Sequence, residues 1–159
     1  LNTIDQINEL QKLVLIEKVQ RHFQGKLSGR KIAVWGLAFK PKTDDIREAP
    51  ALVLIDTLLK QGAQVRVHDP EAMDNVRQKY GDRLTYSEQP MDALDGAEAL
   101  AIMTEWTEFR HPDLAEMRRR MAQPIVLDGR NLYDPAHMQA AGFTYYSIGR
   151  SPVTPDEKA

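Results

Sequence analysis

The chain contains no cysteine. A disulfide framework, a thiolate metal site and a thiol nucleophile are therefore excluded within these residues. No apolar run approaches the roughly 18 residues that a membrane-spanning helix needs, and no signal-peptide pattern opens the chain; a cytoplasmic protein is expected. Charge of one sign is also missing in bulk. The formal net charge is −2, so there is no broad positive field to draw in nucleic acid or an anionic membrane. The four histidines (His22, His68, His111, His137) are scattered, with no pair at metal-ligand spacing on a helix. None of Ser28, Ser87, Ser147 and Ser151 stands in a nucleophile-elbow context. Finally, the G-x-G-x-x-G fingerprint of dinucleotide binding is absent after the first strand pattern, where only Gly36 occurs.

What is present amounts to about one domain: 159 residues, enough to bury a core without cross-links. The chain begins with Leu and enters a helical pattern at once, which suggests a piece of something longer. That first pattern runs from about Thr3 to Gln24. Ile4, Ile7, Leu10 and Val14 share one face, while Ile16, Val19 and Phe23 lie nearly opposite. Two stripes predict a helix that bridges two bodies; a helix folded back on its own domain is the alternative.

A regular alternation follows. Strands are expected at Lys31–Trp35, Gln64–His68, Leu84–Tyr86, Ala99–Met103, Ile125–Leu127 and Thr144–Ile148. Helices are expected at Pro50–Gln61, Glu71–Tyr80, Pro112–Met121 and Pro135–Ala141, with a shorter one near Met91–Leu94. Ile-Ala-Val-Trp and Leu-Ala-Ile-Met are too continuous for a sheet wet on one side and suit parallel strands covered on both faces. The fold class is therefore α/β: a Rossmann-like, doubly wound, mainly parallel sheet of about six strands preceded by a helix. The usual order 3-2-1-4-5-6 brings the carboxyl ends of strands one, four and five to one edge. The polar tail Ser151–Ala159, with two prolines, is expected to be loose.

Chemistry is expected at that edge. Residues 36–50 read Gly-Leu-Ala-Phe-Lys-Pro-Lys-Thr-Asp-Asp-Ile-Arg-Glu-Ala-Pro. This long loop does not turn straight into the helix, so autonomous NAD binding on a backbone cradle is disfavoured. Asp69 ends the second strand as a ribose-binding acid would, but Asp-Pro is more simply a turn starter before the next helix. The loop supplies Lys40, Lys42 and Arg47 as cations, with Asp44 and Asp45 to fix them or cap turns. Lys40 beside Phe39 suits a phosphate carrying a base or sugar; a solvated charged loop is the alternative. Arg130, in Asp128-Gly129-Arg130-Asn131, can project into the same crevice and is suited to bidentate phosphate binding, unless it pairs with Asp128 or Asp134. Trp106, in Thr104-Glu105-Trp106, is a stacking, interface or core residue.

Gly36–Pro50, the Thr104-Glu105-Trp106 triplet and Asp128–Pro135, in this order and at these strand ends, resemble the UDP-glucose/GDP-mannose dehydrogenase family over about residues 28–150 plus the preceding helix. The wording is most similar to the UDP-glucose 6-dehydrogenase branch; the GDP-mannose and UDP-N-acetylmannosamine dehydrogenases share much of it. The resemblance implies oxidation of a sugar C6 alcohol to a carboxylate with two NAD⁺ in succession through a cysteine. It implies an N-terminal NAD domain, a connecting and dimerisation helix ending near residue 25, and a C-terminal nucleotide-sugar domain over residues 28–150. On this resemblance Phe39, Lys40 and Arg130 hold the UDP-sugar, and Arg47 reaches the NAD pyrophosphate. The partners implied are the UDP-sugar, the missing NAD domain, and a second subunit in a homodimer or larger assembly. Lacking the NAD domain and the cysteine, this chain is expected to be inactive alone. A non-catalytic nucleotide-binding module and a structural dimerisation domain whose charged loop is only solvated are the alternatives.

Overall fold

The computed structural model describes residues 14–155. Six strands, β1 (Lys31–Trp35), β2 (Gln64–His68), β3 (Thr85–Tyr86), β4 (Ala99–Ile102), β5 (Ile125–Asp128) and β6 (Thr144–Tyr146), form one parallel sheet in the order β3-β2-β1-β4-β5-β6. The described end of the first helix, α1 (14–22), precedes them. Between the strands lie α2 (Pro50–Lys60), α3 (Met73–Tyr80), α4 (Leu114–Arg120) and α5 (Pro135–Ala140). The expected doubly wound sheet and its strand order are what the chain adopts.

The continuous apolar strands have the cause expected of them. Side chains alternate across a strand, and both faces of this sheet are covered. Ile32 and Val34 of β1 face α1, α2 and α3 together with Val65, Val67, Ala101 and Leu127. Ala33 and Trp35 face the other layer with Leu100, Ile102, Val126, Met117 and Met138. The expected helix at Met91–Leu94 is a single 3-10 turn, and a second one, Thr107–Phe109, is an addition that places Phe109 under Trp35 with ring centroids 5.0 Å apart.

Register positions the edge. Trp35 pairs with His68 on one side and Ile102 on the other, and Ile102 pairs with Asp128. Four strands therefore end level, and the residues that follow, Gly36, Asp69, Met103 and Gly129, open on one rim. Gly36 is required there. Its φ is +91°, and a Cβ would lie 2.6 Å from Thr104 Cβ, so only glycine passes so close to the end of β4.

The described part of α1, with the turn after it, presents one side to this domain: Leu15, Val19 and Phe23 are buried in the core layer of α2 and α3. Leu15 fell on neither stripe, yet it is fully buried. The stripe of Ile4, Ile7 and Leu10 lies outside the described residues. The tail is not loose at its start. Val153 pairs with Tyr145 in an antiparallel bridge with hydrogen bonds of 2.9 and 3.1 Å, and Gln139 Nε2 donates to Thr154 O at 2.8 Å. The free edge of β6 supplies the unpaired backbone groups that capture it; residues 156–159 lie outside the described residues.

α1 is also tied to β6 by His22, whose Nδ1 shares a 2.6 Å hydrogen bond with the Tyr146 hydroxyl. Burial, and then the nearby Arg30 charge, lower the His22 pKa below its ordinary 6.5. A histidine depressed in the folded state binds fewer protons there than when unfolded. Its contribution is thus complete above the unfolded pKa and is lost as pH falls through 6.5 towards the folded value. Thermal melts should show the wild-type chain losing more stability between pH 7.5 and pH 5.5 than the His22→Gln variant; equal losses would exclude this linkage.

Candidate functional site at the carboxyl edge

Three loops meet on this rim: 36–49 after β1, 103–106 after β4 and 129–134 after β5. The first and third are held by side chains that satisfy backbone N–H groups which no strand can reach, and the second by the Thr104 hydroxyl, which donates to Ala38 O. Asp69, buried at the end of β2, accepts from Leu37 N at 2.7 Å through Oδ2, and from Glu71 N and Ala72 N at 2.8 and 2.9 Å through Oδ1. It is therefore the turn residue expected before α3 and also a tether for the first loop. With both oxygens engaged by backbone, it is not presented as a ribose-binding acid.

Asp128 does the same for the third loop. Oδ1 accepts from Arg130 N at 2.9 Å, while Oδ2 accepts from Leu132 N and the Tyr145 hydroxyl, each at 2.7 Å. Burial, and then the hydrogen bond to the Asp128 carboxylate, push the Tyr145 pKa well up, so the hydroxyl remains a donor. Asn131, in the left-handed region at φ +55°, makes two bonds to Ile148: its Oδ1 accepts from Ile148 N at 2.8 Å and its Nδ2 donates to Ile148 O at 2.9 Å. Gly129 leaves room for the turn, since a Cβ there would come within 3.0 Å of Ile102 O and 3.4 Å of Leu15 Cδ2. The Asp-Gly-Arg-Asn run is thus a fixed turn that aims one side chain, Arg130.

The guanidinium of Arg130 spans the three loops. Nη2 donates to Phe39 O at 3.2 Å, and Nε stands 2.8 Å from Glu105 Oε2. That second contact is an ion pair rather than an aligned hydrogen bond, because the buried Nε–H has no well-directed acceptor. Neither acid considered from the sequence is the partner. Asp128 is used by backbone and Tyr145, and Asp134 caps α5 by accepting from His137 N at 3.1 Å. Glu105 was missed because its pairing joins loops that are distant in sequence.

Phe39 is 42% exposed, one of two large apolar side chains so placed among the described residues. Lys40 beside it is exposed and has no ion-pair partner among the described residues. Arg47 is differently disposed. It is 87% exposed and forks onto Asp45, with Nε–Oδ1 at 3.0 Å and Nη2–Oδ2 at 2.8 Å. Those bonds, with a smaller contribution from Lys40, hold the Asp45 pKa down at about 2. Asp45 O in turn accepts from Phe39 N at 3.3 Å. The structure therefore brings the Phe39 backbone against Arg130, with Lys40 the next residue of the same loop, and links Arg47 to Phe39 through Asp45. Lys42 and Glu48 in this loop both hold positive φ, +64° and +55°, a backbone cost that concentrates at ligand sites. Trp106 belongs to the core beneath, 7% exposed, and its buried indole N–H has no acceptor among the described residues.

A depression of about 130 Å³ at the opposite edge is lined by Lys31, Gln64, Arg66 and Asp95. Its Arg66 is already occupied by the carbonyls of Asp92 and Asp95. Among the described residues no group of three His, Cys, Asp or Glu side chains is placed to hold a metal ion, and no helix is long and apolar enough to cross a membrane. The carboxyl edge, by contrast, gathers Lys40, Arg47 and Arg130 with the exposed Phe39 ring.

A level parallel sheet whose first loop carries cations instead of a glycine cradle defines a nucleotide-binding domain of Rossmann type that does not use the dinucleotide fingerprint. The chain belongs to the UDP-glucose/GDP-mannose dehydrogenase family, whose UDP binding domain matches residues 33–135. It is 48% identical to the UDP-glucose 6-dehydrogenase of Pseudomonas aeruginosa over 155 residues, 94% of this chain and 34% of that one. The solved UDP-glucose dehydrogenase of Pyrobaculum islandicum is 37% identical with a TM-score of 0.69, covering 80% of this chain and 28% of its own. The UDP-D-ManNAc dehydrogenase of Pyrococcus horikoshii is 26% identical with a TM-score of 0.68, over 92% and 31%. The chain spans about a third of the length of the curated relatives it matches.

Removing the Asp128 carboxylate should cost the fold heavily, since it strands several buried donors at once. Asp128→Ala is expected to lower the unfolding free energy by about 3 kcal/mol, from unsatisfied groups costing roughly 1–3 kcal/mol each. Urea denaturation measures this; a loss below about 1 kcal/mol would contradict the role given to Asp128.

Proposed function

We propose that this chain is the UDP-sugar-binding domain of an NAD-dependent UDP-glucose 6-dehydrogenase, which converts a C6 alcohol to a carboxylate. The observation that carries this reading is the rim itself. Phe39 offers an exposed ring, Lys40 next to it a charge without an ion-pair partner among the described residues, and Arg130, against the Phe39 carbonyl, an aimed guanidinium. A nucleoside diphosphate carries the matching chemistry: a flat base for the ring and two phosphates for the cations. The Pseudomonas relative's identity favours UDP-glucose, while the Pyrococcus relative keeps a UDP-N-acetylmannosamine specificity open as the second reading.

In this proposal the hydride acceptor NAD⁺ and the covalent cysteine chemistry belong to a separate domain. The present residues bind and orient. Lys40 and Arg130 fix the diphosphate, Phe39 covers the base or ribose, and Arg47 faces the cofactor's pyrophosphate from the far side of the loop. In the same proposal residues 1–25, of which 1–13 lie outside the described residues, belong to a connecting and dimerisation segment, 28–150 form the binding domain, and the assembled cytoplasmic enzyme is a homodimer or larger. The position of α1 supports this layout: Leu15, near the described start of the helix, packs at Gly129 on the ligand-binding rim.

Titration with UDP, followed by amide NMR shifts, tests the reading. Shifts should cluster around Phe39, Lys40 and Arg130, and Lys40→Ala and Arg130→Ala should each weaken binding by about 1–3 kcal/mol, the range for charge-assisted bonds. Shifts confined to other surfaces would refute it. Alone, the chain should produce no NADH from UDP-glucose and NAD⁺, because it holds neither a cysteine nor a dinucleotide cradle; NADH formation by the purified chain would overturn the division of labour.

A further inference from the structure

We propose that Glu105 is a positioning residue for phosphate binding, holding the Arg130 guanidinium by its inner edge so that its outer nitrogens face the crevice; this rests on the nucleotide-binding reading above. The two side chains are half-shielded, 25% exposed for Arg130 and 31% for Glu105, so their attraction is screened less than at a free surface. An arginine has five N–H donors in a fixed fork. Nε is buried against Glu105 and one Nη2 hydrogen is given to Phe39 O. Both Nη1 hydrogens remain without an acceptor among the described residues, which leaves the outer part of the fork for a phosphate.

The backbone around Glu105 is rigid enough for this task. Thr104 before it is buried and donates from Oγ1 to Ala38 O at 2.9 Å. Trp106 after it is anchored in the core. The carboxylate therefore leaves a fixed stretch of chain between the two loops that carry Phe39 and Arg130. Its contact with Nε is a matter of charge and not of an aligned hydrogen bond, so it is the Glu105 charge that holds the inner edge of the guanidinium. A negative charge so close to a phosphate site opposes the ligand by simple Coulomb repulsion. Its presence is therefore explained by orientation, and the two effects differ in sign.

That difference makes the test. Glu105→Gln keeps the shape and removes the charge. If Glu105 positions Arg130, this substitution weakens UDP binding to the 159-residue chain by about tenfold, and Glu105→Asp restores part of the loss. The effect falls below about twofold in an Arg130→Met background, since Glu105 acts through that side chain, and affinity for uridine, which has no phosphate, does not change. The Arg130 Nε–H resonance gives a readout without ligand: distinct and slowly exchanging in the wild-type chain, fast-exchanging in Glu105→Gln. Tighter UDP binding by Glu105→Gln, an unchanged affinity, or an equal loss in the Arg130→Met background would each overturn the proposal while leaving UDP binding in place. A wild-type chain that binds no UDP would overturn the parent reading with it.

Discussion

Parallel strands that end level leave a row of backbone donors and open loops at one rim, and everything functional in this chain depends on how that rim is closed. Asp69 and Asp128 close it by one device. Each stands at the end of a strand or one residue beyond, is buried, and spends both carboxylate oxygens on donors of the loops around it. A buried carboxylate is costly unless hydrogen-bonded, so each aspartate commits its loop to one geometry. With the loops fixed in this way, Arg130 and Phe39 occupy set positions even though neither lies on a helix or strand.

The strand runs, the layer organisation and the order of the strands were legible because they follow from period and burial, properties local to each segment. The rim's location followed from them, through topology. What was not legible depended on pairing between distant residues. Leu15 fell between the two apolar stripes read from α1, yet it is buried beside Gly129 near the described start of the helix; only the position of the sheet determines which face is inward. Arg130 was matched with the acids nearest in sequence, but the turn uses those acids for backbone. The nearest side-chain charge in space lies on the loop after β4. The tail looked loose by composition, but composition carries no information about the unpaired edge of β6 waiting for it.

The charges of the rim are graded by their surroundings. The Arg47–Asp45 fork is well formed but fully exposed, and pairs of that kind contribute little to stability. It shapes the loop's end and keeps Arg47 pointed outward. Arg130 and Glu105 are half-shielded and therefore interact more strongly, with less salt screening. Lys40 has no ion-pair partner among the described residues, so its charge stands uncompensated there. A net charge of −2 for the whole chain thus says nothing against an anion site, because the local pattern decides what approaches.

One rim is still only one wall. Tight ligand sites bury most of their ligand, and a diphosphate resting on Lys40, Arg130 and the Phe39 ring would keep its other side in water. Binding by this surface alone therefore loses part of the gain, since the ligand is ordered without being desolvated on both sides. The direction of α1 bears on where the second wall stands. The helix comes down onto the sheet from the carboxyl edge, touching Gly129 through Leu15 and leaving at the amino edge through the turn before β1. A domain joined ahead of Leu15, as proposed above, would stand on the same side of the sheet as Arg130. In the proposed assembly, the same helix packing that completes the core would set the side from which the NAD domain closes the crevice.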